Sequence, residues 1–229
     1  MADLFARYAM YIFVLFGMLA GIPVVWIFRD RAAVKSFGVL LLSVLYSVCS
    51  VIAAMLFAHL ESFLSKGTGA NTGAISTYGI YFLGSAMMLG VSKICRWNTA
   101  GVLDIYALYA MPSLFMMRVH CLIGGCCYGL QIWNTGLYWP TREAEIVFYV
   151  AMFLVFWRML KKNKIPGQLF PLLMTNYGVF RFINQWFRDD GVIGLHMSHG
   201  WSVLCALIGF SLLMEMRAQN NKKSKSKRR

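Results

Sequence analysis

The run Asn176-Tyr177-Gly178-Val179-Phe180-Arg181-Phe182-Ile183-Asn184-Gln185-Trp186-Phe187-Arg188 sets two arginines into a stretch where apolar residues are otherwise the rule. A charge near the middle of a membrane span costs roughly 2.5–3.5 kcal/mol on insertion scales, so it faces a bundle interior or a wet cavity. At about 100° per residue, Tyr177, Arg181, Asn184, Gln185 and Arg188 fall on one helical face. Such a stripe suits an anion, because guanidinium groups donate paired, charge-assisted hydrogen bonds to phosphate or carboxylate oxygens. The simpler alternative is a structural ion pair with Asp104, the acid inside another apolar run, although one carboxylate can neutralise only one arginine.

A second cluster reads Arg118-Val119-His120-Cys121-Leu122-Ile123-Gly124-Gly125-Cys126-Cys127-Tyr128-Gly129. Its glycines let the chain turn tightly, and Arg118 at the turn could join backbone N–H groups in holding a phosphate. Cys121, Cys126 and Cys127 are a possible thiol site. They are read as packing or substrate-lining thiols, as a disulfide from Cys121 to Cys126 or Cys127, or as soft-metal ligands. Against a metal stands the lack of Cys-x-x-Cys spacing, and one backbone turn would have to aim two adjacent cysteines at one ion; no metal and no cofactor is expected. Cys49, Cys95 and Cys205 lie in or beside apolar runs and read as core residues. A third feature is Pro140-Thr141-Arg142-Glu143-Ala144-Glu145. Thr141 is placed as a helix N-cap, with both glutamates in the first turn where the helix dipole favours them. Glu145, at the membrane boundary, could instead pair with an arginine of the stripe.

The elements that position these groups follow from composition. The 229 residues are 59% hydrophobic and 14% charged, with 22 Lys and Arg against nine Asp and Glu, a formal net charge of +13. Mean hydropathy is +0.60. Soluble domains carry about 25% charged residues, so a soluble nucleic-acid binder, a disordered chain and a secreted disulfide scaffold are excluded. What remains is an all-α, polytopic integral membrane protein.

Apolar runs place about seven transmembrane helices near 9–28, 37–60, 75–92, 102–117, 146–160, 168–187 and 201–216. Residues 67–74, rich in glycine, read as a connector or a gate. Alternate loops divide the basic residues sixteen to five, with Arg181 inside a span. The positive-inside rule then sets the N-terminus outside and the C-terminus in the cytoplasm. The expected organisation is one transmembrane domain over 1–216 and a basic cytoplasmic tail over 217–229.

Four motifs in order carry a family resemblance: Arg118-x-x-Cys121-x-x-x-Gly125-Cys126-Cys127-Tyr128-Gly129, Pro140-Thr141-x-x-x-Glu145, Tyr177-Gly178-x-x-Arg181-Phe182-x-x-x-x-x-Arg188, and Gly194-x-x-x-Ser198-x-Gly200-Trp201. Together they resemble the prolipoprotein diacylglyceryl transferases, specifically a divergent branch with Gly-Cys-Cys-Tyr-Gly. The resemblance implies a multi-pass enzyme of the bacterial inner membrane that moves diacylglycerol from phosphatidylglycerol to the lipobox cysteine of a preprolipoprotein signal peptide. Its partners are then phosphatidylglycerol, that peptide and membrane lipids, with no nucleic acid.

Carried over by position, Arg118 falls on the arginine of the family's signature and Arg181 on the essential arginine of span six. Tyr177 and Arg188 match the same helix, and Glu145 matches the carboxylate opening span five. Arg118, Arg181, Arg188, Tyr177, Asn184 and Gln185 are thus expected to bind phosphatidylglycerol. The sequence departs from the pattern at Tyr78, where the family has histidine, at Cys121 and Cys126, where the signature has asparagine and glutamate, and at Gln185, where it has glutamate. With Arg118 and Arg181 catalytic, thiol activation is left to Tyr78, His120 or Glu145. The other reading is a diverged relative that binds phospholipid without transferring it, or uses its Cys-rich loop for redox or metal chemistry.

Overall fold

The computed structural model describes residues 2–64, 76–133, 135–162, 167–189, 195 and 197–226. The glycine-rich segment 67–74 lies outside them. Among the described residues the chain is helical, with isolated β-bridges in place of strands. We label the helices α1 (Ala2–Phe28), α2 (Gly38–Leu64), α3 (residues 77–94), α4 (Thr99–Ile123), α5 (Thr141–Lys161), α6 (Leu169–Gln185) and α7 (Met197–Ser226). α3 keeps helical backbone angles throughout but loosens to a π-helical turn at Ile80–Gly84.

Among the described residues, four stretches are long and apolar enough to cross a membrane: Tyr11–Ala32, Gly38–Leu64, Thr99–Ile123 and Met197–Ala218. At about 1.5 Å rise per residue, the 27 residues of α2 reach about 40 Å, more than the hydrocarbon core. Its exposed face is apolar, with Leu40, Leu41, Val44, Val48 and Leu56 all open. Water would penalise such a face and lipid does not, so the exposure pattern agrees with a membrane protein.

The inner faces bury polar groups in pairs. Tyr46 donates to the Val102 carbonyl at 2.6 Å, and the Tyr106 and Tyr109 hydroxyls meet Ser50 at 2.8 Å and Ser47 at 2.6 Å. These bonds fasten α2 to α4 where an unpaired hydroxyl would be costly. Asp104 of α4 is engaged elsewhere than expected. Its carboxylate accepts the backbone N–H of Gly167 at 2.6 Å and of Leu169 at 3.0 Å. The alternative of an ion pair with Arg181 is therefore not realised: Asp104 closes the open N–H groups at the start of α6, the end remote from Arg181, where an anion is favoured.

α6 runs against α7, α1 against α4, and α4 against α5. The α6–α7 contact depends on Gly178. A Cβ there would sit 2.6 Å from the Ala206 nitrogen and the Ser202 carbonyl oxygen, both backbone atoms that cannot swing away. The glycine beside Tyr177 is thus a packing requirement of the helix that carries Arg181. Gly178→Val is expected to lower stability by about 1–3 kcal/mol or more, read as a lower thermal midpoint in detergent; an unchanged midpoint would disprove the close crossing.

Candidate active site

Because α5 begins at Thr141, only Glu143 lies in its first turn; Glu145 follows just beyond it and is wholly buried. Arg118 of α4 reaches it with Nε at 2.5 Å from Oε2. Arg181 of α6 donates from a terminal nitrogen to Oε1 at 2.7 Å, and Arg188 approaches the same oxygen at 3.4 Å. Asn184 joins from the face of Arg181, its amide nitrogen 3.2 Å from the Thr141 carbonyl oxygen and 3.4 Å from Glu145 Oε1. One carboxylate therefore anchors three guanidinium groups, one from α4, one from α6 and one from the turn that follows α6. Arg118 and Arg181 are each only 7% exposed.

The three-to-one ratio decides what the site can do. Burying charge is expensive, and a carboxylate offsets it for one arginine only. Arg118 uses Nε and Arg181 a single terminal nitrogen, so neither forms the two-pronged pair that would commit its whole fork to Glu145. Glu61, near the end of α2, also feels the charge of Arg181, yet Glu145 is the acid to which all three arginines turn. The arrangement suits an anion with several oxygens.

Two expectations about local structure need correction. α6 ends at Gln185, so Arg188 does not extend the helical stripe. The chain leaves the helix through tighter turns, with Trp186, Phe187 and Arg188 each bonding back three residues. It then pairs with the Cys-rich loop: Gly129 bridges Arg188, Leu130 donates to the Phe187 carbonyl at 2.8 Å, and Asp189 donates to that of Tyr128 at 3.1 Å. That pairing delivers Arg188 to Glu145. Thr141 is the first helical residue rather than the cap, Pro140 holds the cap position without a side-chain bond, and the Thr141 hydroxyl points to the Cys127 carbonyl at 3.5 Å.

Of the candidates for thiol activation, only Tyr78 and Glu145 lie at the cluster. His120 is two residues, hence about 200°, from Arg118 on α4, and its ring lies against Phe13 of α1 with centroids 5.6 Å apart. The helix that aims Arg118 inward necessarily turns His120 away. Tyr78 bonds to the Ser202 hydroxyl at 2.6 Å and donates to the Ser198 carbonyl at 3.0 Å, with Arg181 close enough to act on it electrostatically. Ser202 went unnoticed in the sequence, although it directly follows the Gly-Trp of the fourth motif. Tyr177 and Gln185 are buried beside the ion cluster. Tyr177 stacks on Tyr149 with centroids 6.4 Å apart, and Tyr149 sits one turn from Glu145. That four-residue spacing was the signal that could have revealed Tyr149.

The cysteine loop abuts the same cluster. Cys121, Cys126 and Cys127 are free thiols whose sulfurs all lie within 4.8 Å of one another. The objection that a single turn could not aim two adjacent cysteines together is overturned by the backbone: Cys127 has φ +58 and follows Gly125 at φ +64. A left-handed residue there turns the chain sharply, and the sulfurs of Cys126 and Cys127 both lie close to that of Cys121. Arg142 secures the loop, donating to the Cys121 and Cys126 carbonyls at 3.4 and 3.3 Å with its guanidinium 4.2 Å above the Tyr128 ring. The sequence carries no signal for this role of Arg142, because the loop atoms that it holds are backbone carbonyls. Elsewhere Cys49 and Cys205 are buried as expected, whereas Cys95 is exposed at the C-cap of α3.

A hydrogen bond from Cys121, with Arg188 and Arg118 alongside, pulls the Cys127 thiol down to about 5. Partial burial and the neighbouring Cys127 charge push the Cys126 thiol up. Since the thiolate is the reactive form, alkylation of Cys127 should hold its rate from pH 8 to about pH 6 and fall only as pH nears 5, a range set by the lowered value. Cys126 should keep gaining reactivity above pH 9. Peptide mapping after iodoacetamide pulses checks this; identical pH profiles for the two would contradict it.

Apolar crevices flank the ion cluster on both sides. One, between α4 and α5, is lined by Met111, Pro112, Phe115, Phe153 and Tyr149. The other, between α5 and α6, is lined by Trp139, Ala144, Phe180 and Ile183 and runs to Thr141 and Asn184. The molecule is a helical membrane protein with a buried ion cluster set between two apolar crevices.

The family follows from comparison with known sequences. The profile of the prolipoprotein diacylglyceryl transferases matches residues 4–215, and the chain belongs to that family. Among its relatives is phosphatidylglycerol–prolipoprotein diacylglyceryl transferase 2 of Clostridium perfringens, 25% identical over 166 residues, 64% of this chain and 63% of that protein. Another is the phosphatidylglycerol–prolipoprotein diacylglyceryl transferase of Dehalococcoides mccartyi strain BAV1, 25% identical over 213 residues, 80% of this chain and 81% of its own. The Chlorobaculum tepidum protein of the same name is 33% identical over 91 residues, 35% of this chain and 31% of its own.

Proposed function

We propose that this protein transfers diacylglycerol from phosphatidylglycerol to the lipobox cysteine of a preprolipoprotein, and that the carrying observation is the convergence of Arg118, Arg181 and Arg188 on Glu145. Family membership and the names of the relatives support the substrate assignment. In this reaction a C–S bond forms at the terminal glycerol carbon of the diacylglycerol unit. The bond from that carbon to phosphate oxygen breaks, and its electron pair leaves with glycerol phosphate. The lipid phosphodiester carries one negative charge, whereas the leaving monoester approaches two. A site with more guanidinium than carboxylate charge binds the departing group more tightly than the ground state, and that difference accelerates a reaction.

Glu145 acts as the organiser of the arginines. Its oxygens are shared among three cations, which makes it a poor proton acceptor. The positive field around Arg181 favours the thiolate of the incoming cysteine, the proton leaves to solvent, and Tyr78, tied to Ser202, positions the thiol side of the site. The flanking crevices receive acyl chains. We further propose that all seven helices span the bacterial inner membrane, N-terminus outside, as the sixteen-to-five distribution of basic residues supports. Residues 1–216 then form one transmembrane domain, and 217–229 a tail on the cytoplasmic side.

The test is direct. Purified protein, phosphatidylglycerol vesicles and a lipobox peptide should yield a peptide heavier by one diacylglyceryl group on its cysteine, with glycerol phosphate released in equal amount. Folded protein that retains phosphatidylglycerol and gives no product would instead establish the non-transferring lipid binder.

A further inference from the structure

We propose that Cys121, Cys126 and Cys127 form a binding site for a single soft d10 cation, Cu(I) in particular, beside the arginine cluster. The sulfurs of the three residues already lie within 4.8 Å of one another. Three thiolates around one ion at a metal–sulfur distance of about 2.3 Å stand about 4.0 Å apart in a trigonal plane, so closure requires sub-ångström side-chain movement and no rearrangement of the backbone. The donor set is all sulfur. Among the described residues no histidine nitrogen or carboxylate oxygen joins the group. Thiolate-only sites select soft ions, and a three-donor set suits Cu(I) better than Zn(II), which takes four.

The loop is shaped for convergence. Cys127 holds a left-handed backbone angle that a non-glycine residue rarely adopts, and Arg142 pins the carbonyls of Cys121 and Cys126 from above Tyr128. Ordinary packing would not demand this of Cys127, because a glycine would satisfy the turn. Charge is balanced as well. Three thiolates and one monovalent ion leave two negative charges, and Arg118 and Arg188 both act on Cys127. Cys121 is buried, Cys127 half-buried and Cys126 exposed, so the ion enters past Cys126 and its binding releases the thiol protons.

The inference does not depend on transferase chemistry, and its test contains no lipid. The reduced full-length protein in detergent, carrying Cys95→Ser to remove the other exposed thiol, is titrated anaerobically against the Cu(I)–bicinchoninate complex. It should withdraw one Cu(I) per chain, with three sulfur neighbours by X-ray absorption. Cys126→Ser, at an exposed position where packing is not at stake, should weaken binding by at least about tenfold, as loss of even a supporting partner of a metal ligand does. Replacing all three cysteines by serine should abolish it. No copper uptake, equal uptake by the triple variant, or unchanged affinity in Cys126→Ser would each overturn the site.

Discussion

Arg181→Lys should reduce diacylglyceryl transfer by about 10²–10³-fold while leaving the protein folded, the loss typical of removing one donor from a site where charge develops. Lysine keeps the positive charge, so coulombic balance with Glu145 survives. The planar fork is lost, and with it the ability to bind Glu145 through one nitrogen at 2.7 Å while presenting others to phosphate. The effect should fall on kcat more than on KM, since the arginine is asked to hold the leaving dianion more tightly than the lipid. Steady-state kinetics with the lipobox peptide measure it. A variant retaining half the wild-type kcat would show that Arg181 serves Glu145 alone.

The second large effect belongs to Glu145→Gln. The replacement keeps shape and removes the one acid shared by Arg118, Arg181 and Arg188. Arg118, Arg181 and Arg188 then lose the carboxylate that they share, and breaking a buried pair in this way costs about 3–5 kcal/mol. Stability is marginal in most proteins, so the thermal midpoint should fall sharply and activity with it. The sign of the charge imbalance adds a discriminating readout: an added anion should recover part of the midpoint in Glu145→Gln and do little for wild type. Phosphatidylglycerol or inorganic phosphate in a detergent-based thermal melt provides that comparison. Loss of stability with no anion response would make Glu145 a packing residue.

Much of this arrangement was readable because it rests on side-chain identity and period. Arg181 stands out in an apolar run, and Glu145 was a recognised partner for it. The pairing of Arg181 with Asp104 failed because Asp104 binds backbone N–H groups, which every sequence offers and none advertises. Arg188 was assigned to the site through a helical register that ends at Gln185; it arrives instead through the bridge to Gly129, a pairing between distant segments with no local signal. His120 lies two residues from Arg118 on one helix, and that spacing turns it to another face, against Phe13. The left-handed turn at Cys127 was hidden, because nothing in an adjacent cysteine pair announces a positive φ.

Retention of lipid measures most directly whether phosphate is the group that the arginines hold. Native mass spectrometry of protein equilibrated with equimolar phosphatidylglycerol and diacylglycerol, which differ by the phosphate headgroup, should show phosphatidylglycerol bound to the wild type in clear preference. Arg118→Ala and Arg181→Ala should each abolish that preference. Equal retention of both lipids by the wild type, or a preference that survives in both variants, would contradict the account.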